Sequence, residues 1–114
     1  HLDTGYDRAH RFVPANIAPG ERNFVRGEGA PDDASDVSKP GGLRNRGHGT
    51  GTIGILAGPI IGGAPDISVL PIRIADSVVR FRTGTMAQGF DYALSAGARV
   101  LSMSMGGLAS ALLA

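Results

Sequence analysis

Two segments of the chain place apolar residues at the spacing of an amphipathic helix. In residues 48–58, Ile53, Leu56 and Ala57 fall at positions i, i+3 and i+4, so they would share one helical face. Pro59 follows directly and cannot continue a helix, because it lacks a backbone N–H. The pattern therefore predicts a first helix over residues 48–58.

A second helical pattern begins near Thr85. Thr85 and Gln88 have the spacing of a capping box, and Gly97 lies where a helix commonly ends on a glycine. One face of this segment is apolar and consists of Met86, Phe90, Ala93 and Leu94. A further apolar segment, residues 108–114, predicts the beginning of another helix.

Short apolar runs around these helices predict β-strands. Residues 1–5 are typical of a strand end that runs into a turn, and residues 99–103 predict a strand that the glycine pair at 106–107 would end. Residues 67–74 are β-branched and apolar, as in a buried strand. Since Pro71 cannot donate a hydrogen bond to a neighbouring strand, we expect a sheet edge or a bulge there.

Residues 11–46 show no lasting hydrophobic period and are rich in Gly, Pro and charge. This composition predicts a long loop, with one short strand near Phe24 and Val25. The order strand, loop, helix, strand, helix, strand, helix is typical of a parallel sheet with helical crossovers. We therefore predict a three-layer α/β fold, with a mostly parallel sheet and helices on both faces, in one domain over residues 1–114.

Composition narrows the classes of function. The 114 residues are 42% hydrophobic and 18% charged, which indicates a globular chain. The 11 basic and 10 acidic side chains leave a net charge of +1, so no basic surplus predicts a nucleic-acid partner. There are no cysteines, which excludes disulfides and thiolate metal sites. No apolar run approaches the about 20 residues that span a bilayer, so we expect no membrane helix.

Two motifs carry residues that are suited to acid–base chemistry. Asp3 begins the motif Asp3-Thr4-Gly5 after a predicted strand, and open α/β sheets bind ligands at the carboxyl ends of their strands. His48 lies among glycines at the start of the first predicted helix, where the helix dipole disfavours a charged imidazole and keeps a base neutral. Taken singly, each motif is also explained by an ordinary turn.

A third motif, SMSMGG at residues 102–107, is a candidate for peptide binding. It is a strand end that turns into glycines, and such an edge can accept an extended peptide as an added strand. On its own it also fits a buried strand that is followed by a turn.

Together these three motifs occur in the order and spacing of the subtilase family of serine proteases, which the chain resembles. The segments GGAPDISVLPIRI and FDYALSAGARVLSMSMGG are also similar to the family, so the resemblance covers most of the chain, and residues 11–46 are the part least like it. The resemblance implies that Asp3 is the acid of a catalytic triad, which accepts a hydrogen bond from His48 and fixes its tautomer. It implies that His48 is the general base.

The resemblance also implies a substrate site and a reaction. Ser104, Met105 and Gly106 match the family strand that pairs with the backbone of a peptide or protein substrate and forms one wall of the first specificity pocket. The family's serine motif and its oxyanion asparagine have no match in these residues. We therefore expect a serine endopeptidase in the complete protein and no activity from this chain alone. Extracellular location is an expectation from the family only.

Two further positions depart from the family pattern. Gly51 stands where the family usually has a second histidine, which is not a triad member. Met105 replaces a leucine and keeps an apolar contact.

Three other interpretations stay open at the level of sequence. The chain could be a degenerate subtilase fragment without catalytic function. Residues 49–54 match G-x-G-x-x-G, the pattern of dinucleotide-binding turns, although no strand precedes them. Subtilases often bind calcium, and the acidic loop residues Glu28, Asp32, Asp33 and Asp36 could supply oxygen ligands, but a solvated loop face explains them better.

An incomplete sheet would also favour self-association.

Overall fold

The computed structural model of the chain describes residues 1–80 and 83–107. Within them, short strands alternate with two helices. The elements are β1 (Leu2–Asp3), β2 (Arg22–Asn23), α1 (His48–Ala57), β3 (Ile72–Arg73), β4 (Val79–Arg80), α2 (Gly84–Ser95) and β5 (Gly106–Gly107). Neither of these two helices is long and apolar enough to cross a membrane.

The main sheet is parallel, and its strands lie in the order β1-β3-β2. Leu2 pairs with Ile72, and Asp3 pairs with Arg73. A single parallel bridge between Leu2 and Met103 extends the sheet beyond β1. Because neighbouring residues of a strand point to opposite faces, Leu2 and Ile72 share one face, and Asp3 and Arg73 share the other.

The two helices cover these two faces. Against the first face, α2 forms a core with β1 and β3 that consists of Leu2, Ile72, Ile74, Ala75, Met86 and Ala93. On the other side, α1 belongs to a second core that consists of Tyr6, Ala34, Ile53, Ala57 and Val69. This arrangement confirms the predicted three-layer α/β fold with helices on both faces, built around a small parallel sheet.

The predictions of the first two helices are confirmed, with changes at the ends. α1 begins at His48 and ends at Ala57, one residue before the predicted end. α2 follows an N-cap at Thr83 that makes no side-chain capping hydrogen bond. The predicted capping box is wrong, since Thr85 lies inside the helix. Gly97 ends α2 as predicted, because it adopts a φ of +85° and donates its N–H to the Leu94 carbonyl.

The strand predictions are confirmed in position but not in length. The predicted strand at 67–74 contains regular pairing only at β3, directly after Pro71. Pro71 was expected at an edge or bulge, but β3 is the central strand. The proline lacks only its own N–H, and its carbonyl still accepts from Arg22 at 3.4 Å. The short strand expected near Phe24 lies just before it, as β2.

The end of the described chain differs most from expectation. The predicted strand at 99–103 is reduced to the single bridge at Met103. The glycine pair at 106–107 does not end a strand. It forms β5, which pairs in parallel with β4. Since glycine has no side chain, it allows this close backbone pairing. The helix predicted at 108–114 lies outside the described residues.

Polar contacts hold the long loop against the strand ends. Arg8 makes two hydrogen bonds to Glu21, at 2.8 and 2.6 Å, and a third to Asp33 at 3.0 Å. The Tyr6 hydroxyl donates to Glu21 at 2.6 Å. Burial, together with this bond to Glu21, raises the pKa of Tyr6 well above its ordinary value. Hydrogen bonds from Ser35, followed by the one from Arg8, lower the pKa of Asp33 to about 2.

Candidate active site

Asp3 is the last residue of β1, and its carboxylate is buried under the start of α1, with 1% of the residue exposed. Its Oδ1 accepts the backbone N–H of Thr4 at 2.7 Å. Its Oδ2 accepts the hydroxyl of Thr52 at 3.0 Å. An ionised carboxylate can only accept hydrogen bonds, so these donors fix it in one orientation.

His48 is the first residue of α1, and its side chain meets that carboxylate. The imidazole Nδ1 lies 2.7 Å from Asp3 Oδ1. Because the carboxylate accepts, Nδ1 carries the proton, and Nε2 keeps a free lone pair for use as a base. The imidazole is 30% exposed while Asp3 is closed to solvent. The pair therefore consists of a buried acceptor and an accessible base.

Glycines allow α1 to approach the Asp3 turn this closely. A Cβ placed on Gly49 would collide with the carbonyl oxygen of Gly5 and lie 3.2 Å from the Asp3 Cβ. The Gly49 N–H donates to the Thr4 hydroxyl at 3.1 Å. Gly5 itself has a φ of +96°, a conformation that side chains rarely allow. Gly5 and Gly49 are thus required where β1 and α1 meet.

Arg73 supports the same turn from inside the protein, and sequence reasoning missed it. The residue is fully buried, and its Nε donates to the Thr4 carbonyl at 3.0 Å. Its Nη2 donates to Glu28 Oε2 at 2.7 Å and to Ser38 Oγ at 2.9 Å. The sequence did contain a signal for Arg73, because it is the charged residue in the largely apolar run 67–74. A charge that is buried in such a run must have polar partners.

The acidic loop residues are used by the protein itself. Glu28 binds Arg73 and also Arg44, at 3.0 Å. Asp36 accepts the backbone N–H of Gly47, the residue before α1, at 2.6 Å. No group of three His, Cys, Asp or Glu side chains within residues 1–80 and 83–107 is arranged to hold a metal ion. The solvated acidic face that we favoured is therefore only partly correct, because most of these carboxylates have protein donors.

The predicted substrate strand lies at the same edge of the sheet. Met103 pairs with Leu2 in parallel, so the next residue, Ser104, continues the chain in the direction of Asp3. Ser104 is exposed, whereas Met105 packs against the α2 core. The Gly106 N–H already donates to the Val78 carbonyl at 3.0 Å. Hydrogen bonds in the described part of the chain join Asp3 to His48 but do not join either of them to residues 104–106.

The G-x-G-x-x-G match does not form a nucleotide-binding turn. Its three glycines all lie inside α1, which is preceded by a turn at residues 46–47 and not by a strand. In the dinucleotide fold, those glycines form the turn between a strand and a helix.

Sequence reasoning also missed His1 and Thr52, whose side chains meet behind Asp3 at 2.8 Å.

Comparison with known proteins points to one family. A family model described as the Subtilase family matches residues 1–112. Thermitase from Thermoactinomyces vulgaris is 30% identical over 112 residues, which cover 93% of this chain and 36% of that protein. An intracellular serine protease from Paenibacillus polymyxa is 32% identical over 112 residues, covering 93% of this chain and 32% of that protein. No solved structure gives a significant match.

The chain spans about a third of the length of these curated relatives. The family match nevertheless extends from residue 1 to residue 112, so it includes both the Asp3 turn and the start of α1. These are the two elements that bring the buried carboxylate to the exposed imidazole. The chain therefore belongs to the subtilase family.

Proposed function

We propose that the complete protein is a serine endopeptidase in which Asp3 and His48 are the acid and the base of the catalytic triad. The observation that carries this proposal is the 2.7 Å contact between His48 Nδ1 and the buried Asp3 carboxylate. This contact selects the tautomer in which Nε2 can take a proton. The membership of a protease family supports the same reaction.

In this reaction, His48 Nε2 takes the proton of a serine hydroxyl while the serine oxygen attacks the peptide carbonyl. The protonated His48 then gives that proton to the leaving amine, and an acyl-serine ester remains. Water is activated by Nε2 in the same way, and its attack releases the acid product and the free serine. Asp3 stays ionised throughout and stabilises the imidazolium that forms beside it.

The 114 residues taken alone are proposed to be inactive. No hydroxyl within residues 1–80 and 83–107 makes a hydrogen bond to His48 Nε2, so the base has no nucleophile there to activate. An acid and a base without a nucleophile cannot form the acyl intermediate. The nucleophile and its oxyanion donors would come from the remainder of the protein.

Ser104, Met105 and Gly106 are proposed to bind the substrate backbone as an added strand. Gly106 N–H is already donated to Val78, so a peptide that uses this donor must displace β4 from β5. The pair is only two residues long on each side, and so short a ladder is weak. We therefore propose that β4 and β5 separate when peptide binds, with the peptide replacing the lost hydrogen bond.

A fluorophosphonate probe, which labels activated serines, tests this function. We expect no labelled serine in the 114-residue chain and one in the complete protein. In the complete protein, Asp3→Asn should lower kcat by a factor on the order of 10⁴, and His48→Ala should lower it by a factor on the order of 10⁶. His10→Ala is the matched control, because His10 is exposed and contacts only its neighbouring turn.

Each part of the proposal has its own contrary result. A labelled serine in the 114-residue chain would contradict its predicted inactivity. Unchanged activity of His48→Ala would contradict the assignment of the base. A complete protein that is folded but never labelled would instead identify a non-catalytic member of the family.

A further inference from the structure

A second histidine lies behind the candidate acid and takes no part in the proposed reaction. His1 precedes β1, and its side chain is only 4% exposed. Its Nε2 lies 2.8 Å from the Thr52 hydroxyl and 3.9 Å from Asp3 Oδ2. A buried imidazole with a hydrogen bond directed toward a carboxylate needs a physical explanation.

The Thr52 hydroxyl stands between this histidine and the acid. Its oxygen is 3.0 Å from Asp3 Oδ2, and it also lies 3.2 Å from the His48 carbonyl and 3.3 Å from the Gly49 carbonyl. A hydroxyl has a single proton to donate, and a charged acceptor attracts it more strongly than a carbonyl does. The proton therefore goes to Asp3, and the Thr52 oxygen is left to accept from His1 Nε2–H.

The regular spacing of the two elements places all four side chains together. His1 and Asp3 are two residues apart on the β1 segment, so they point to the same face of the sheet. His48 and Thr52 are four residues apart on α1, so they lie one turn apart on the same face of the helix. The face of β1 and the face of α1 thus carry two hydrogen-bonding residues each, and the carboxylate lies among them.

We propose that His1 and Thr52 are positioning residues for the acid, a role that rests on the proposed function of Asp3 and His48. His1 Nε2–H donates to the Thr52 hydroxyl, which donates to Asp3 Oδ2. This chain of bonds occupies the second carboxylate oxygen and prevents rotation of the carboxylate, so that Oδ1 faces His48 Nδ1. Thr52 thereby stabilises the Nδ1–H tautomer of His48 indirectly, through the orientation of the Asp3 carboxylate.

Imidazole nitrogen NMR on the 114-residue chain tests the proposal, because the signals need no nucleophile. In the unmodified chain we expect His48 as the Nδ1–H tautomer, with a low-field Hδ1 signal, and His1 with a proton on Nε2. A neutral His1 with its proton on Nδ1 alone would overturn the proposal without any substitution, since Nε2 could then only accept.

Substitutions give the second readout. Thr52→Val should remove the low-field Hδ1 signal of His48 and mix its two tautomers, and Thr52→Ser should restore both. Thr50→Val is the matched control, because the Thr50 hydroxyl on the same helix accepts from Asp7 and does not touch Asp3. Its His48 signals should equal those of the unmodified chain. Equal His48 spectra for Thr52→Val and Thr52→Ser would refute the role of the hydroxyl.

His1 has its own pair of variants, which remain informative should Thr52→Val fail to fold. His1→Gln keeps an N–H donor and should preserve the His48 signature, whereas His1→Leu should weaken the Hδ1 signal. Equal spectra for these two variants would refute the role of His1. A failed triad would instead give an unlabelled complete protein with the His48 signature intact, so the two proposals fail in different ways.

Discussion

At the scale of single residues, the site combines two groups from short glycine-containing motifs with buried groups whose partners are distant in sequence. Asp3 and His48 could be selected because each stands in a short glycine-containing motif at the predicted end of an element. Arg73, Thr52 and His1 could not, because the partners that hold them at this turn are 35 or more residues away: Ser38, Glu28 and Thr4 for Arg73, and Asp3 for Thr52, for example. Only tertiary packing reveals that these side chains converge on the Asp3 turn.

Asp33 gives a prediction about acid stability. Its pKa is lowered from 3.8 to about 2, chiefly by the hydrogen bonds from Ser35 and then by Arg8. Since the folded-state pKa lies below the unfolded one, the ionised carboxylate stabilises the fold fully above pH 3.8. That contribution is lost as the pH falls through about 2. Asp33→Asn should therefore lower stability above pH 3.8 and reduce its loss on acidification.

Chemical denaturation at pH values between 6 and 2 measures this difference. Asp32→Asn is the control, because Asp32 is exposed and makes no hydrogen bond within the described residues. It should keep the full pH dependence of the unmodified chain. Identical pH dependence for Asp33→Asn and the unmodified chain would show that the Ser35 and Arg8 contacts do not contribute.

At the scale of elements, periodicity predicted the helices better than the strands. α1 and α2 are long enough for their apolar spacing to determine the element. The strands have only two paired residues each, so the length of an apolar run overestimates them. β5 shows the opposite case: a glycine pair, which usually ends a strand, forms one because β4 lies alongside.

The contact between α1 and β1 predicts opposite effects for two glycines of the same helix. Gly49→Ala places a methyl group against the Gly5 carbonyl, which should cost about 1–3 kcal/mol of unfolding free energy. Gly51→Ala has no atom within 4 Å of the new Cβ. It should stabilise the chain by about 0.5–1 kcal/mol through higher helix propensity.

Denaturant unfolding of the two variants provides the measurement, and each serves as the control for the other. A stabilising Gly49→Ala would mean that α1 does not pack on the Asp3 turn as closely as the structure shows. The His48 nitrogen spectrum should also change in Gly49→Ala alone, because that substitution pushes the helix away from the carboxylate.

At the scale of the whole molecule, the described surface carries large apolar side chains that a small globular protein would normally bury. Val100 is 81% exposed and Leu94 is 62% exposed. Val100 also lines a groove of about 580 Å³ beside the end of α2, together with Leu56, Ile67 and Leu101. Exposed apolar side chains beside a groove with apolar lining favour association.

We predict that the 114-residue chain associates with itself through this surface. The double variant with Leu94→Lys and Val100→Lys should shift the population toward monomer, because the introduced charges would have to be desolvated in the contact. Sedimentation velocity over a concentration series measures the effect. Val37→Lys with Leu43→Lys is the control, since these residues are exposed on the long loop and do not line the groove. A chain that sediments as a monomer at all concentrations would contradict the prediction.

The buried guanidinium of Arg73 has a consequence for protein engineering. One end of the guanidinium donates to the Thr4 carbonyl, and the other donates to Glu28 and Ser38. The loop segment 28–38 therefore supports the Asp3 turn through Arg73. A chimera that transplants the two short glycine motifs onto another scaffold would lack this brace. The transplanted Asp3 carboxylate would keep its neighbours in sequence, but no buried arginine would hold the backbone of its turn in place.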